Sequence, residues 1–180
     1  MSWWAFVTAA TLLSLERLTY VWIARAPDAF RRWCAHPTIA RLGEPVAIVR
    51  RLFYAFKALQ LSVFVGWCYV LGNGSLVPAD HDAVAFALAG AAIVAGQVLN
   101  WSVFYRLGPV GAFFGDRLGH DVRWCRKFPF SLLSHPQYVG TVLTIWGFFV
   151  IMRFPRDDWY LLPALETVYY VGGAYLEDRA

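Results

Sequence analysis

His135, Gln137, Tyr138 and the terminal pair Glu177–Asp178 are the residues of this chain whose types and positions suit chemistry. They stand at two junctions between polar and apolar sequence: FPFSLLSHPQYVGTVLTIWG at 128–147, and YLED at 175–178 as the last apolar run ends. Pro136 fits the first position of a helix, where its missing N–H costs nothing, and His135 then takes the capping position. The N–H groups of Gln137 and Tyr138 lack partners within such a helix and suit an anionic group such as a carboxylate. Glu177 and Asp178 can accept hydrogen bonds from sugar hydroxyls or pair with a cation. As a plain helix terminus they would merely be solvated, with the helix dipole slightly against them. Gly140 and Gly147 lie seven apart and share a helix face, which admits either a ligand or a neighbouring helix. Gly96 presents the same choice.

These groups need a scaffold, and composition indicates which kind. The chain has 180 residues, suited to a single domain over 1–180; 59% are hydrophobic, 18% aromatic and 16% charged. A mean hydropathy of +0.47 is too apolar for an ordinary soluble domain of this size. Five apolar stretches, at roughly 2–24, 46–72, 83–105, 136–153 and 159–176, account for it. Each approaches the ~20 residues that cross ~30 Å of hydrocarbon as a helix. Period-2 alternation is absent, so the predicted fold is all-α: an integral membrane bundle of about five transmembrane helices. The first stretch reads as a retained helix, because no basic region precedes Trp3 and Glu16–Arg17 interrupts the run. Charges at that depth are expensive, so Glu16 and Arg17 should pair with each other or, failing that, serve a headgroup.

Basic residues predict the orientation. Arg25, Arg31, Arg32, Arg41, Arg50 and Arg51 separate the first two stretches, and Arg106, Arg117, Arg123, Arg126 and Lys127 follow the third. The loop GNGSLVPADHD (72–82) has no Lys or Arg, and Arg153 and Arg156 are offset by Asp157 and Asp158. Both rich segments are therefore expected in the cytosol, with the N-terminus outside and Glu177 inside. The net charge of +4 is this topological bias and requires no nucleic acid; the expected surface partner is the bilayer. Cys34, Cys68 and Cys125 have no metal-like or disulfide-like spacing. Ala83, Ala87, Ala91 and Ala95 recur every fourth residue and predict a close helix contact. His36–Pro37 is expected in a loop. The connection 106–135 is long and rich in glycine, yet carries Phe113, Phe114, Leu118, Trp124, Phe128 and Phe130. That pattern predicts a cytoplasmic lid or an interfacial anchor.

The run LGPVGAFFGDRLG, then FPF, HPQYVG and YLED, resembles the phospholipid methyltransferase family, most strongly over 96–178. HPxYxG is shared with a wider superfamily that includes isoprenylcysteine carboxyl methyltransferases; FFGD and FPF narrow the resemblance to the phospholipid branch. The resemblance implies S-adenosylmethionine as cofactor and a phospholipid with an amine headgroup as substrate. The expected activity is N-methylation of phosphatidylethanolamine or its mono- and dimethyl forms, at a site facing the cytosol. The host would be a bacterial inner membrane or the endoplasmic reticulum. It also assigns cofactor contacts to a GxG on the third helix and to a closing acidic pair. Here the pair is Glu177–Asp178, whereas the GxG position reads Val94-Ala95-Gly96, with only its second glycine.

The implied reaction is displacement of a methyl group from a sulfonium by a lipid amine. An ammonium has no lone pair, so a proton must leave first; Asp116, His120 and His135 are the candidate acceptors. Trp124, Phe128, Phe130 and Tyr138 could hold cationic groups against their faces, at about 0.5–2 kcal/mol each. The competing expectations are a carboxyl methyltransferase of the same superfamily and a non-catalytic membrane scaffold.

Overall fold

The computed structural model describes residues 3–78 and 83–179. Its elements are α1 (Trp3–Arg25), α2 (Pro27–Cys34), α3 (Pro37–Ala40), α4 (Pro45–Leu71), α5 (Ala83–Gly111), α6 (Pro136–Arg153) and α7 (Leu161–Asp178). Each of the five apolar stretches becomes one long helix, and no strand occurs among the described residues. α4 and α5, of 27 and 29 residues, are long and apolar enough to cross a membrane by length and composition. From Ala83 to Trp101 the exposed residues of α5 are themselves apolar, among them Leu88, Val94, Val98 and Trp101. Such a surface suits a hydrocarbon solvent. Of the base-free loop 72–82, residues 79–82 lie outside the described residues.

Two features were not expected from the sequence. The segment after α1 folds into α2 and α3 and does not remain a loop. Pro27 and Pro37 each start a helix, so His36–Pro37 caps α3 much as His135–Pro136 caps α6. The alanine stripe also faces the wrong way for a helix contact: Ala83, Ala87, Ala91 and Ala95 are exposed. A neighbouring face packs α5 on α6, through Ala89, Ile93 and Gly96. Both faces have helical spacing, and small side chains alone do not say which of them meets a partner.

The α5–α6 contact explains the glycines. A Cβ on Gly140 would stand 2.6 Å from the Gly96 carbonyl oxygen, and one on Gly147 2.6 Å from that of Ala89. A Cβ on Gly96 would collide with the Gly140 carbonyl and meet Thr144 Oγ1 at 2.5 Å. The two backbones therefore touch, as small residues permit in membrane bundles.

The lid is packed, not free. α5 kinks at Gly108 (φ 64°, ψ −178°), ahead of Pro109, and the chain then turns back over the bundle end. Phe113 and Leu118 are buried in a cluster with Tyr20, Ile23, Phe30, Ile48 and Val49. Arg106 Nε donates to the Phe128 carbonyl at 3.1 Å, tying the returning segment of the lid to α5. A second cluster around Leu13, Phe64, Trp67, Ile145, Phe149 and Leu162 fills the rest of the bundle. At the bundle end away from the lid, the fully buried Arg153 donates from Nη2 to the Ser75 carbonyl at 2.6 Å, joining α6 to the turn after α4.

Candidate functional site

The start of α6 and the end of α7 meet under the lid. Tyr138 Oη donates to Glu177, lying 2.6 and 2.7 Å from its two carboxylate oxygens. His135 Nε2 is 3.0 Å from Asp178 Oδ1, and the His135 and Tyr138 rings stack with centroids 5.6 Å apart at 14°. Two pairs of residues, 39 and 43 positions apart in sequence, thus stand side by side. Burial holds the Glu177 carboxyl above its usual range, opposed by the Tyr138 hydrogen bond and the charge of Arg17. This residue lies just past the last apolar run, 159–176.

Beside this junction is a cavity of about 370 Å³, within the size range of small-molecule sites. Asp116, His135, Gln137, Tyr138, Glu177 and Asp178 line it, as do Trp124 and Phe130. Gly96, Gly140, His120 and Phe128 do not. The two glycines are occupied in the α5–α6 contact, and His120 is exposed on the lid. The first turn of α6 departs from expectation in one respect. The Tyr138 N–H donates to the His135 carbonyl at 3.1 Å, so this tightened turn takes up one of the two donors expected to face an anion. Asp116 stands 3.9 Å from Arg117 on the lid.

The far wall of the cavity holds charges that sequence reasoning treated only in part. Glu16 and Arg17 form the expected pair at 2.8 Å, both buried. Lys57 joins them, 3.0 Å from Glu16, and also donates to Gln60 Oε1 and Tyr170 Oη at 3.0 Å each. Gln60 in turn donates to Glu166 at 2.8 Å. The Arg17 guanidinium sits 4.1 Å from the Tyr170 ring, 5.1 Å from Tyr20 and 5.5 Å from Tyr138. Its Nε and Nη1 are buried without a hydrogen-bond partner. Buried donors of a guanidinium seldom stay unpaired, so the group is suited to receive an anion. The signal missed at Lys57 was available: it is a single ammonium inside a long apolar helix, where a charge signals function or a partner.

The glycine assignments have a direct test. Gly96→Ala is expected to destabilise the bundle by about 1–3 kcal/mol, as overpacking does. It should leave donor affinity of the folded fraction unchanged; a weakened affinity at full thermal stability would put Gly96 back among the ligand contacts.

Comparison with known proteins bears on the family. The profile of the phospholipid methyltransferase family matches residues 84–179, over half of the chain and all of the α5–α7 framework. The chain is 40% identical over 50 residues to a phosphatidyl-N-methylethanolamine N-methyltransferase of Arabidopsis thaliana, covering 28% of this chain and 30% of that protein. It is 31% identical over 96 residues to a phosphatidylethanolamine N-methyltransferase of Homo sapiens, covering 52% of this chain and 47% of that one. The match thus spans less than half the length of either relative. No solved structure matches. With its acidic pair, its HPQYVG helix start and its profile match all falling on the same three helices, the chain belongs to the phospholipid methyltransferase family.

Proposed function

We propose that the protein N-methylates phosphatidylethanolamine or its mono- and dimethyl derivatives with S-adenosylmethionine, at a cytosolic membrane surface. The observation that carries this reading is the doubly paired junction of Tyr138–Glu177 and His135–Asp178 on the wall of the cavity. The residues present fit the donor. Glu177 and Asp178 offer oxygens for ribose hydroxyls, Tyr138 and Trp124 offer ring faces, and the unpartnered N–H groups of Arg17 suit an anionic oxygen.

Bound there, S-adenosylmethionine supplies an electrophilic methyl group on a sulfonium. The chain's own part is alignment, exclusion of water and removal of one proton. His135 is the best-placed acceptor: with Nε2 engaged by Asp178, Nδ1 is left to take the proton of the lipid ammonium. With that proton removed, the amine lone pair would be free to take the methyl group that the donor supplies, a new N–C bond replacing the S–C bond. The lid, held down by Phe113 and Leu118, covers the cavity while this occurs.

Incubating the purified protein with radiolabelled S-adenosylmethionine and each ethanolamine lipid in turn tests the proposal. Label stable to base in the lipid fraction is expected. A base-labile methyl ester would indicate carboxyl methylation, and absence of donor binding would leave a scaffold. Acid should also weaken donor binding. Because burial raises the Glu177 carboxyl above its usual range, it protonates and loses its charge, and with it the strength of its hydrogen bonds to donors, at a higher pH than an exposed carboxylate. Affinity by calorimetry should therefore fall as pH drops toward that raised value, and Glu177→Gln should flatten the profile.

A further inference from the structure

A second cavity, of about 590 Å³, lies between α4 and α5 and shares Phe53, Lys57, Gln137 and Thr141 with the first. The two helices meet near the lid, where the Phe53 and Phe104 rings are 6.1 Å apart, and are not extensively packed on each other. Below that contact the cleft is walled by Leu61 and Phe64 of α4, Trp101 of α5, and Ile145 and Phe148 of α6. Several of its polar side chains are already bonded: Gln97 Nε2 donates to Thr144 Oγ1 at 3.0 Å, Thr141 Oγ1 to the Gln137 backbone carbonyl at 2.9 Å, and Gln60 to Glu166 at 2.8 Å. Most of what remains on offer is apolar and sideways-facing, on helices that expose many apolar side chains as well.

Its length is informative. Phe53 to Phe64 on α4 and Gln137 to Phe148 on α6 each span eleven positions, or about 16 Å at ~1.5 Å per residue. That is about half of a ~30 Å hydrocarbon core, the depth of one leaflet. Lys57, its ammonium held by Glu16, Gln60 and Tyr170, stands where the cleft joins the candidate site.

We propose that this cleft seats one acyl chain of the acceptor phospholipid, so that the lipid is admitted laterally from its leaflet with its headgroup passing Lys57 into the candidate site. The assignment rests on the lipid-methylating reading given above. Chain length and unsaturation are then sensed by Leu61, Phe64 and Phe148.

Two measurements test it. The first is photo-crosslinking of the intact protein with a phosphatidylethanolamine carrying a mid-chain diazirine. Label is expected at Leu61 and Trp101 in excess of Val168 and Val171, exposed apolar residues of α7 that line neither cavity. Equal labelling of both faces would overturn the proposal. The second is Leu61→Trp, a substitution at a position 57% exposed and tolerant of bulk. It should lower kcat/KM on a dioleoyl monomethyl acceptor by about tenfold, the scale of a few lost methylene contacts. A dihexanoyl acceptor, too short to fill the cleft, should be unaffected, as should Val168→Trp with either lipid. Equal loss on both acceptors would overturn the chain seat. If the wild-type protein methylates no lipid amine, the functional reading fails while the crosslinking pattern still decides the cleft.

Discussion

Replacing Glu177 with alanine is expected to weaken S-adenosylmethionine binding by about 10- to 100-fold. The side chain is the carboxylate through which the end of α7 meets the start of α6, bonded by Tyr138 Oη at 2.6 and 2.7 Å. A hydrogen bond to a charged group contributes about 1.5–3 kcal/mol, and ~1.4 kcal/mol is a factor of ten. The substitution removes the acceptor offered to the ligand and also releases the Tyr138 ring from its fixed position. The bundle should survive, because Glu177 itself belongs neither to the α5–α6 contact nor to either apolar cluster. Calorimetric titration with an unchanged circular dichroism spectrum is the check. An affinity equal to wild type would remove this residue from the site.

The second large effect concerns stability. Arg17→Leu is expected to destabilise the protein by about 3 kcal/mol, the lower end for breaking a buried ion pair. The lower end applies because Lys57 stays 3.0 Å from Glu16 and limits the charge left uncompensated. Loss of the guanidinium also withdraws the group lying 4.1 to 5.5 Å from the rings of Tyr170, Tyr20 and Tyr138. Tyr138 should then hold Glu177 less firmly, so donor affinity should fall with stability. A cycle with Glu16→Gln separates the two contributions: coupling of about 0.5–3 kcal/mol in thermal unfolding is the expected sign of a direct pair. Additive effects would mean that Arg17 acts through the tyrosines alone.

How much of this was visible beforehand depended on where each residue sits. The five long helices were legible because hydropathy is a sum over many residues and survives local exceptions. Glu177 and Tyr138 were legible because each falls where apolar sequence meets polar, a location with few bland uses. The cluster of Lys57, Gln60, Glu166 and Tyr170 was not, since a single polar residue within an apolar run does not name its partner on another helix. Gly96 illustrates a different obstacle. A glycine on a membrane helix leaves space, and only the position of the neighbouring backbone decides what fills it. Here that neighbour is Gly140. The alanine stripe misled for the same reason, being one of two faces of equal periodicity. α2 and α3 escaped notice because their proline-started turns are short and their surroundings basic.

Arg153 has a consequence for how the molecule breathes. It ties α6 to the turn after α4, while Phe53 and Phe104 join α4 to α5 at the opposite end, and the glycines fuse α5 to α6 along their length. The walls of the proposed lateral opening are therefore tied at both ends, like a window in a wall and unlike the gap between two swinging doors. Rotamer changes of the side chains across it, which take picoseconds to nanoseconds when exposed, then govern passage in place of helix displacements on microseconds or longer. Cutting the Arg153 tie would turn the window into a door.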